Sequence, residues 1–339
     1  MRVRSVLLLS ATVLASPAAT ALEAADDTDP VACTALAGFR PGALATATAA
    51  DRTRFAGKSA SDCQALLYAV EDRREVDGAR RCCLATGDCN RELAILFANG
   101  WGVPRDFDTA TWFLCRAGDE MAPFELAGML EQLAAMRTTK PPADLDYCAA
   151  VTSGTGMLFC AKLDYDQAAA GWEERLTTLS ASLEGEARTA LTAWRTAAQA
   201  FSEEEGAWAA SDSWGGSIYS GEALGAQQEV FTKLLTALER SLAHRVAPAS
   251  AADLARVDRA LNEAYKKVMA AIDPASEPEA GRPQLREAQR AWIALRDRWQ
   301  VLYRHRWQGA APPDDLEREL ATTLTGTRAT DLLAGMPKP

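Results

Sequence analysis

Apolar residues recur every three or four positions along most of the chain, with polar residues between them. The clearest row alternates at spacings of four and three and consists of Leu285, Ala288, Trp292, Leu295, Trp299 and Leu302. This spacing places the row on one face of a single long helix. A preceding row predicts a facing helix and comprises Leu261, Tyr265, Val268 and Ile272. Similar patterns elsewhere, in an alanine-rich chain with few β-branched runs, predict an all-α fold.

Residues 93–119 carry the turn signals of two consecutive helices. Gly100 and Gly102 end a first helix, and Asp106 starts a second. This order of residues resembles the Sel-like repeat, a relative of the tetratricopeptide repeat with two antiparallel helices in each unit. The resemblance implies about one full unit with partial neighbours, which we place at residues 61–140. Small residues would let the helices approach closely: Ala94, Ala110 and Ala117.

The eight cysteines all lie in the first half of the chain: Cys33, Cys63, Cys82, Cys83, Cys89, Cys115, Cys148 and Cys160. An even number in an oxidising compartment favours a disulfide framework, which we expect to leave no free thiol. The rival hypothesis is a metal site built on Cys82, Cys83 and Cys89. That set lacks a Cys-x-x-Cys pair and a nearby histidine. We therefore predict disulfides and no metal.

The first 21 residues have the features of a cleaved signal peptide. Arg2 and Arg4 precede an apolar run over residues 6–14, and Ala19-Thr20-Ala21 provides the small-x-small cleavage pattern. The apolar run is too short to span a membrane as a helix. We expect cleavage near Ala21, no transmembrane segment, and a periplasmic or secreted product.

The remaining chain is acidic. Without residues 1–21 it has 46 acidic residues against 34 basic ones, and residues 148–247 have 13 against seven. An acidic chain does not suit nucleic acid or an anionic membrane surface. It suits a cationic protein partner, although net negative charge also serves solubility alone.

Three sequence blocks follow one another at residues 261–265, 288–297 and 324–328. Their content and order resemble the bacterial envelope domain named after the lysozyme inhibitor LprI. We place this domain at residues 250–335.

Residues 148–243 resemble a diverged first copy, which has an early cysteine pair and a Gly-Gly-Ser turn at residues 215–217. The family has a later pair of cysteines that this copy lacks, so the resemblance implies a disulfide between Cys148 and Cys160.

The predicted organisation is a signal peptide (1–21), a poorly structured segment (22–60) tied down through Cys33, a Sel-like region (61–140) and two LprI-like helical bundles (148–243 and 250–335).

Few residues of the chain suit a catalytic site. The chain has two histidines and no recognisable nucleophile motif, and the run of Glu203, Glu204 and Glu205 points in different directions around a helix. We predict no catalytic, cofactor-binding or metal-binding residues, hence no enzyme.

The resemblance implies a non-catalytic protein-binding function, with basic lysozymes as the partner. As the binding loop we select the glycine-containing connection of the first copy, because it combines an anion, aromatic rings and hydroxyl groups. Its candidate residues are Asp212, Trp214, Gly215, Gly216, Ser217 and Tyr219. Two alternatives stay open. The loop could be a plain helix connection, or the protein could be an envelope scaffold that binds partners through the Sel-like helices.

Overall fold

The computed structural model describes residues 31–36, 38–69, 74–118, 120–140, 142–211, 216–272 and 281–334. This part of the chain is helical and contains no β-strand beyond an isolated bridge between Gln308 and Ala311. The predicted all-α fold is confirmed. The predicted signal peptide lies outside the described residues. None of the helices described is long and apolar enough to cross a membrane.

In the described part of the amino-terminal region there are seven short α-helices: α1 (Val31–Ala35), α2 (Ala49–Arg54), α3 (Ala60–Leu67), α4 (Val76–Thr86), α5 (Asn90–Asn99), α6 (Phe107–Leu114) and α7 (Pro123–Thr138). The turn signals hold at α5 and α6. Gly100 ends α5 with a left-handed φ of 72°, and the Asp106 side chain accepts hydrogen bonds from the first turn of α6. In the part of residues 22–60 that the structure describes, Thr48 and Asp51 form a capping box on α2.

Three long helices form what we call the central unit: α8 (Gly154–Ala181), α9 (Gly185–Ala209) and α10 (Gly216–Ala243). Helices α8 and α10 run parallel, since Tyr165 bonds to Gln227 and Arg175 bonds to Glu239 further along both helices. Helix α9 runs antiparallel to α10.

The carboxy-terminal unit repeats this arrangement with α11 (Ala251–Ala271), α12 (Arg282–Arg306) and α13 (Pro313–Ala334). Helix α13 runs parallel to α11 and antiparallel to α12. The apolar row predicted on α12 is buried along its whole length, from Leu285 to Leu302. Ser250, the first residue of the domain placed at 250–335, caps α11 in a box with Asp253.

The two units meet through their middle helices, α9 and α12, which run antiparallel. The Trp194 and Trp299 rings meet edge to face with their centroids 5.6 Å apart. Glu186 lies near His305 at one end of this contact, and Ser211 lies near Gly281 at the other. One hydrophobic core therefore runs through both units.

Three disulfides join Cys33 to Cys115, Cys63 to Cys82, and Cys148 to Cys160. The prediction of no free thiol is wrong in this structure, because Cys83 and Cys89 are buried and unbonded. A hydrogen bond to Cys89, together with burial, raises the pKa of Cys83. The sulfur atoms of Cys83, Cys89 and Cys63 lie within 4.8 Å of one another. Since Cys63 is in a disulfide, two thiols remain there, fewer than a structural zinc site requires.

Candidate protein-binding site

The structure divides the predicted binding loop into two parts. Asp212, Trp214 and Gly215 lie outside the described residues. Gly216, Ser217 and Tyr219 form the first turn of α10, so this half of the set is helical and not part of a flexible turn. Gly216 has a φ of 61°, a conformation that favours glycine, and it begins the helix directly after the loop.

Close contacts between helices fix the base of the loop. A Cβ atom on Gly154, at the start of α8, would lie 2.5 Å from Ser217 Oγ. A Cβ atom on Gly206, near the end of α9, would lie 2.5 Å from the Ala223 carbonyl oxygen. The contact at Gly206 is with backbone and leaves no room for a side chain, so this glycine allows α9 and α10 to approach next to the loop.

The start of α8 is held to α7 by a buried carboxylate. Glu125 Oε1 accepts hydrogen bonds from the backbone N–H groups of Thr152 (3.1 Å) and Ser153 (2.8 Å) and from the Ser153 hydroxyl (2.6 Å). The other oxygen, Oε2, accepts one from the Tyr147 hydroxyl at 3.1 Å. Burial opposes ionisation, but the hydrogen bonds outweigh it and lower the pKa of Glu125 to about 2.

A disulfide and an arginine stack support the same end of α8. The structure bonds Cys148 to Cys160, the pair that the resemblance implied, and so ties the chain before α8 to the helix itself. The Arg91 guanidinium lies 4.3 Å from the Tyr147 ring centroid and 4.7 Å from that of Phe159. Several contacts therefore hold the start of α8, against which Ser217 of α10 lies.

The sequence around the loop is acidic, and this charge was not used when the loop residues were selected. Residues 196–232 include six acidic residues and no lysine or arginine. Glu203 is exposed on α9, which precedes the loop in the chain, and Glu222 is exposed on α10, which follows it. Glu205 has a different role, because its carboxylate forms a two-pronged ion pair with the buried Arg328 of α13. The sequence on both sides of the loop is therefore acidic.

The two histidines do not come together. His305 Nδ1 lies 3.4 Å from Glu186 Oε2, where α12 meets α9. His244 is exposed just beyond the end of α10. The run of three glutamates is divided between solvent and the Arg328 ion pair, so the described part of this segment does not set two carboxylates across a cleft.

Comparison with protein families identifies one part of the chain. The family model described as Lysozyme inhibitor LprI matches residues 241–332. The matched range contains all of α11 and α12 and most of α13, so the predicted LprI resemblance is confirmed for the carboxy-terminal unit. The central unit and the amino-terminal region lie almost entirely outside the match. Comparisons with curated proteins and with solved structures found no match.

Proposed function

We propose that this protein is a non-catalytic envelope protein that inhibits lysozyme-type glycosidases by binding them. The observation that carries the proposal is the match of residues 241–332 to the Lysozyme inhibitor LprI family. The disulfides support a compartment outside the cytoplasm, because such bonds persist in oxidising environments.

We further propose that the central unit is a diverged copy of the carboxy-terminal unit. The support is geometric. In both units the first and third helices run parallel and the middle helix runs antiparallel, and the two middle helices pack against each other. The connection between α12 and α13 has Gly309-Ala310-Ala311-Pro312-Pro313 where the central unit has Gly-Gly-Ser. If the turn binds the partner, the central unit carries the binding loop.

The charge distribution supports residues 212–219 as the contact surface. Lysozymes are commonly basic, and the loop is flanked by Glu203 and Glu222 in a stretch without lysine or arginine. Long-range attraction between opposite charges speeds association and orients the partners. Trp214 and Tyr219 supply the aromatic groups that anchor many protein interfaces. Binding there would cover the basic glycan cleft and block the substrate.

The test is lysozyme turnover of cell walls in the presence of the full chain, at low and high salt. We expect inhibition that weakens as salt reduces the screening length to about 10 Å at 0.1 M. Asp212→Lys and Trp214→Ala should both weaken inhibition without altering the unfolding midpoint. Glu131→Lys is the matched control, because it makes the same charge change at an exposed site on α7, outside the residues that match the family.

Two results would count against the proposal. Absence of inhibition by the unaltered protein, at micromolar excess and low salt, would remove the inhibitor function. Inhibition that survives both loop substitutions would show that another surface binds the enzyme.

A scaffold function is the second candidate, and one feature of the amino-terminal region favours it. An open cavity of about 510 Å³ lies beside α3, α5, α7 and α8 and is lined by Gln64, Arg91, Tyr147, Thr155 and Phe159, among others. Thr155→Trp would fill this cavity from an exposed position. Loss of partner capture from envelope extract by Thr155→Trp, but not by Asp212→Lys, would favour the scaffold over the inhibitor.

A further inference from the structure

A second cavity lies between the two units, and we call it the interunit cleft. Helices α10 and α13 flank the contact between α9 and α12 and run antiparallel, leaving a space of about 470 Å³ between them. Phe201, Trp292, Leu295 and Trp299 line it from the middle helices. The volume falls in the range typical of small-molecule sites, about 300–1,000 Å³.

The walls and floor of the interunit cleft are apolar and built from the core. Leu234 and Ala237 line the α10 wall, and Leu320 and Leu324 line the α13 wall. The indole N–H group at the floor already has a hydrogen-bond partner, because Trp299 Nε1 donates to Ser241 Oγ at 3.1 Å. An apolar chain would therefore displace water from this surface without stranding polar groups.

The opening of the interunit cleft contains an unpaired arginine. Arg240 and His244 are exposed along the α10 edge, and neither side chain has a hydrogen-bonding or ion-pair partner among the described residues. Lys233 lies about two helical turns before Arg240 on α10. Its ammonium group forms an ion pair with Glu229 of the same helix at 2.5 Å. Asp331 is the one carboxylate among the residues lining the cleft.

The remaining two arginines in the lining are already neutralised. Arg245 pairs with the buried Glu319, and Arg328 pairs with Glu205. Arg240 of α10 is therefore the arginine in the lining whose charge has no partner among the described residues. This arginine distinguishes the interunit cleft from the acidic loop proposed as the lysozyme-binding surface.

We propose that the interunit cleft binds an anionic amphiphile with a single apolar chain, of the class of long-chain carboxylates. The chain lies over Trp292 and Trp299, and the carboxylate meets Arg240 at the opening. At the usual helical rise, the α10 wall from Arg240 back to Lys233 is about 10 Å long, so it lies beside part of an extended chain whose carboxylate meets Arg240. The inference does not depend on lysozyme binding, because it rests on different residues.

The experiment titrates hexadecanoate, below its micellar concentration, into the full chain. Tryptophan fluorescence and calorimetry report binding, since two tryptophans line the cleft. We expect saturable binding at one site per chain. Hexadecanol should bind about tenfold more weakly, because it lacks the charge that meets Arg240. No saturable binding, or equal binding of the alcohol, would overturn the proposal.

Three variants locate the site. Ala237→Trp fills the cleft from an exposed wall position and should abolish binding. Arg240→Glu should weaken it at least about tenfold. Arg298→Glu is the matched control, because Arg298 is exposed on α12 and does not line the cleft, and it should leave binding unchanged.

Near-ultraviolet circular dichroism and the unfolding midpoint establish that each variant is folded. If Ala237→Trp fails to fold, Thr327→Trp fills the cleft from the opposite wall. Undiminished binding by the folded cleft-filling variant would place the amphiphile elsewhere and overturn the proposal. Lysozyme inhibition measured on the same variants should not change, so failure of the two proposals can be told apart.

Discussion

The amino-terminal region and the two three-helix units are both helical, but they are stabilised in different ways. Helices α1–α7 are five to 16 residues long, and two disulfides lie wholly within this region. Helices α8–α13 are 21 to 28 residues long, and the one cysteine in them is Cys160, in the second turn of α8. Short helices cannot share one long apolar face, so crosslinks and hydrogen-bonded carboxylates replace what a continuous core supplies in the longer ones.

The largest expected effect tests the continuous core. Trp194→Ala should lower the free energy of unfolding by about 3–5 kcal/mol, because it removes a fully buried ring from the contact with Trp299. Trp292→Ala should fall at the low end of this range, because that ring lines the interunit cleft and leaves a partly open space. Urea unfolding measures both. A near-neutral Trp194→Ala would show that the α9–α12 contact does not stabilise the units.

The next effect tests the ion pair that joins the units. Arg328→Ala should cost about 3 kcal/mol, because it leaves the carboxylate of Glu205 unpaired in a largely buried site. The double variant Arg328→Met with Glu205→Leu should recover most of this loss, since no charge is then left unpaired. Unfolding midpoints of the single and the double variant measure this recovery. A double variant as unstable as the single one would show that packing, not charge, explains the loss.

Loss of a disulfide should have a smaller effect, and a local one. Replacing Cys148 and Cys160 by serine should cost about 2–3 kcal/mol, as the bond closes a short segment. Reduction of all three bonds should raise hydrogen exchange in α1–α7 and at the start of α8. Protection in α9 and α12 should persist, because their contact contains no cysteine. An equal rise of hydrogen exchange in all helices would show that the disulfides do not stabilise the amino-terminal region in particular.

The smallest effect is a dependence on pH in the amino-terminal region. The pKa of Glu125 is about 2 in the folded chain, whereas a glutamate without these contacts has a pKa of 4.5. A lowered pKa contributes stability that is present above pH 4.5 and is lost as pH falls towards 2. Glu125→Gln should cost about 1–2 kcal/mol at neutral pH and flatten this part of the pH profile. Its control is Glu131→Gln, at an exposed site on the same helix. Equal pH profiles for the two variants would contradict the assignment.

The sequence predicted some features well because their cause is local. The apolar face of α12 follows from spacing alone, and the end of α5 follows from the glycine after it. Other features depend on distant residues. Cys82 and Cys83 are neighbours, and only the packing of α3 against α4 determines that Cys82 bonds to Cys63. The pairing of α9 with α12 likewise joins residues far apart in the chain, such as Trp194 and Trp299, and no local pattern encodes it.

The candidate loop shows the same limit. Composition identified residues 212–219, but it did not show that the helix resumes at Gly216 and takes in Ser217 and Tyr219. At that boundary Ser217 lies close to Gly154, a residue of another helix, and such a contact between distant segments has no local sequence signal. The interunit cleft was also beyond the reach of sequence patterns, because its lining comes from four helices and its residues form no motif.

The contact between α9 and α12 also fixes an order of events during synthesis. A chain that emerges amino terminus first exposes Trp194 and Phe201 before residues 282–306 exist to cover them. Local hairpins such as α5–α6 can close as soon as they emerge, whereas the central unit must wait for most of the remaining chain. For that interval the nascent chain has an uncovered aromatic face, and chaperones that shield apolar surface would act on the central unit.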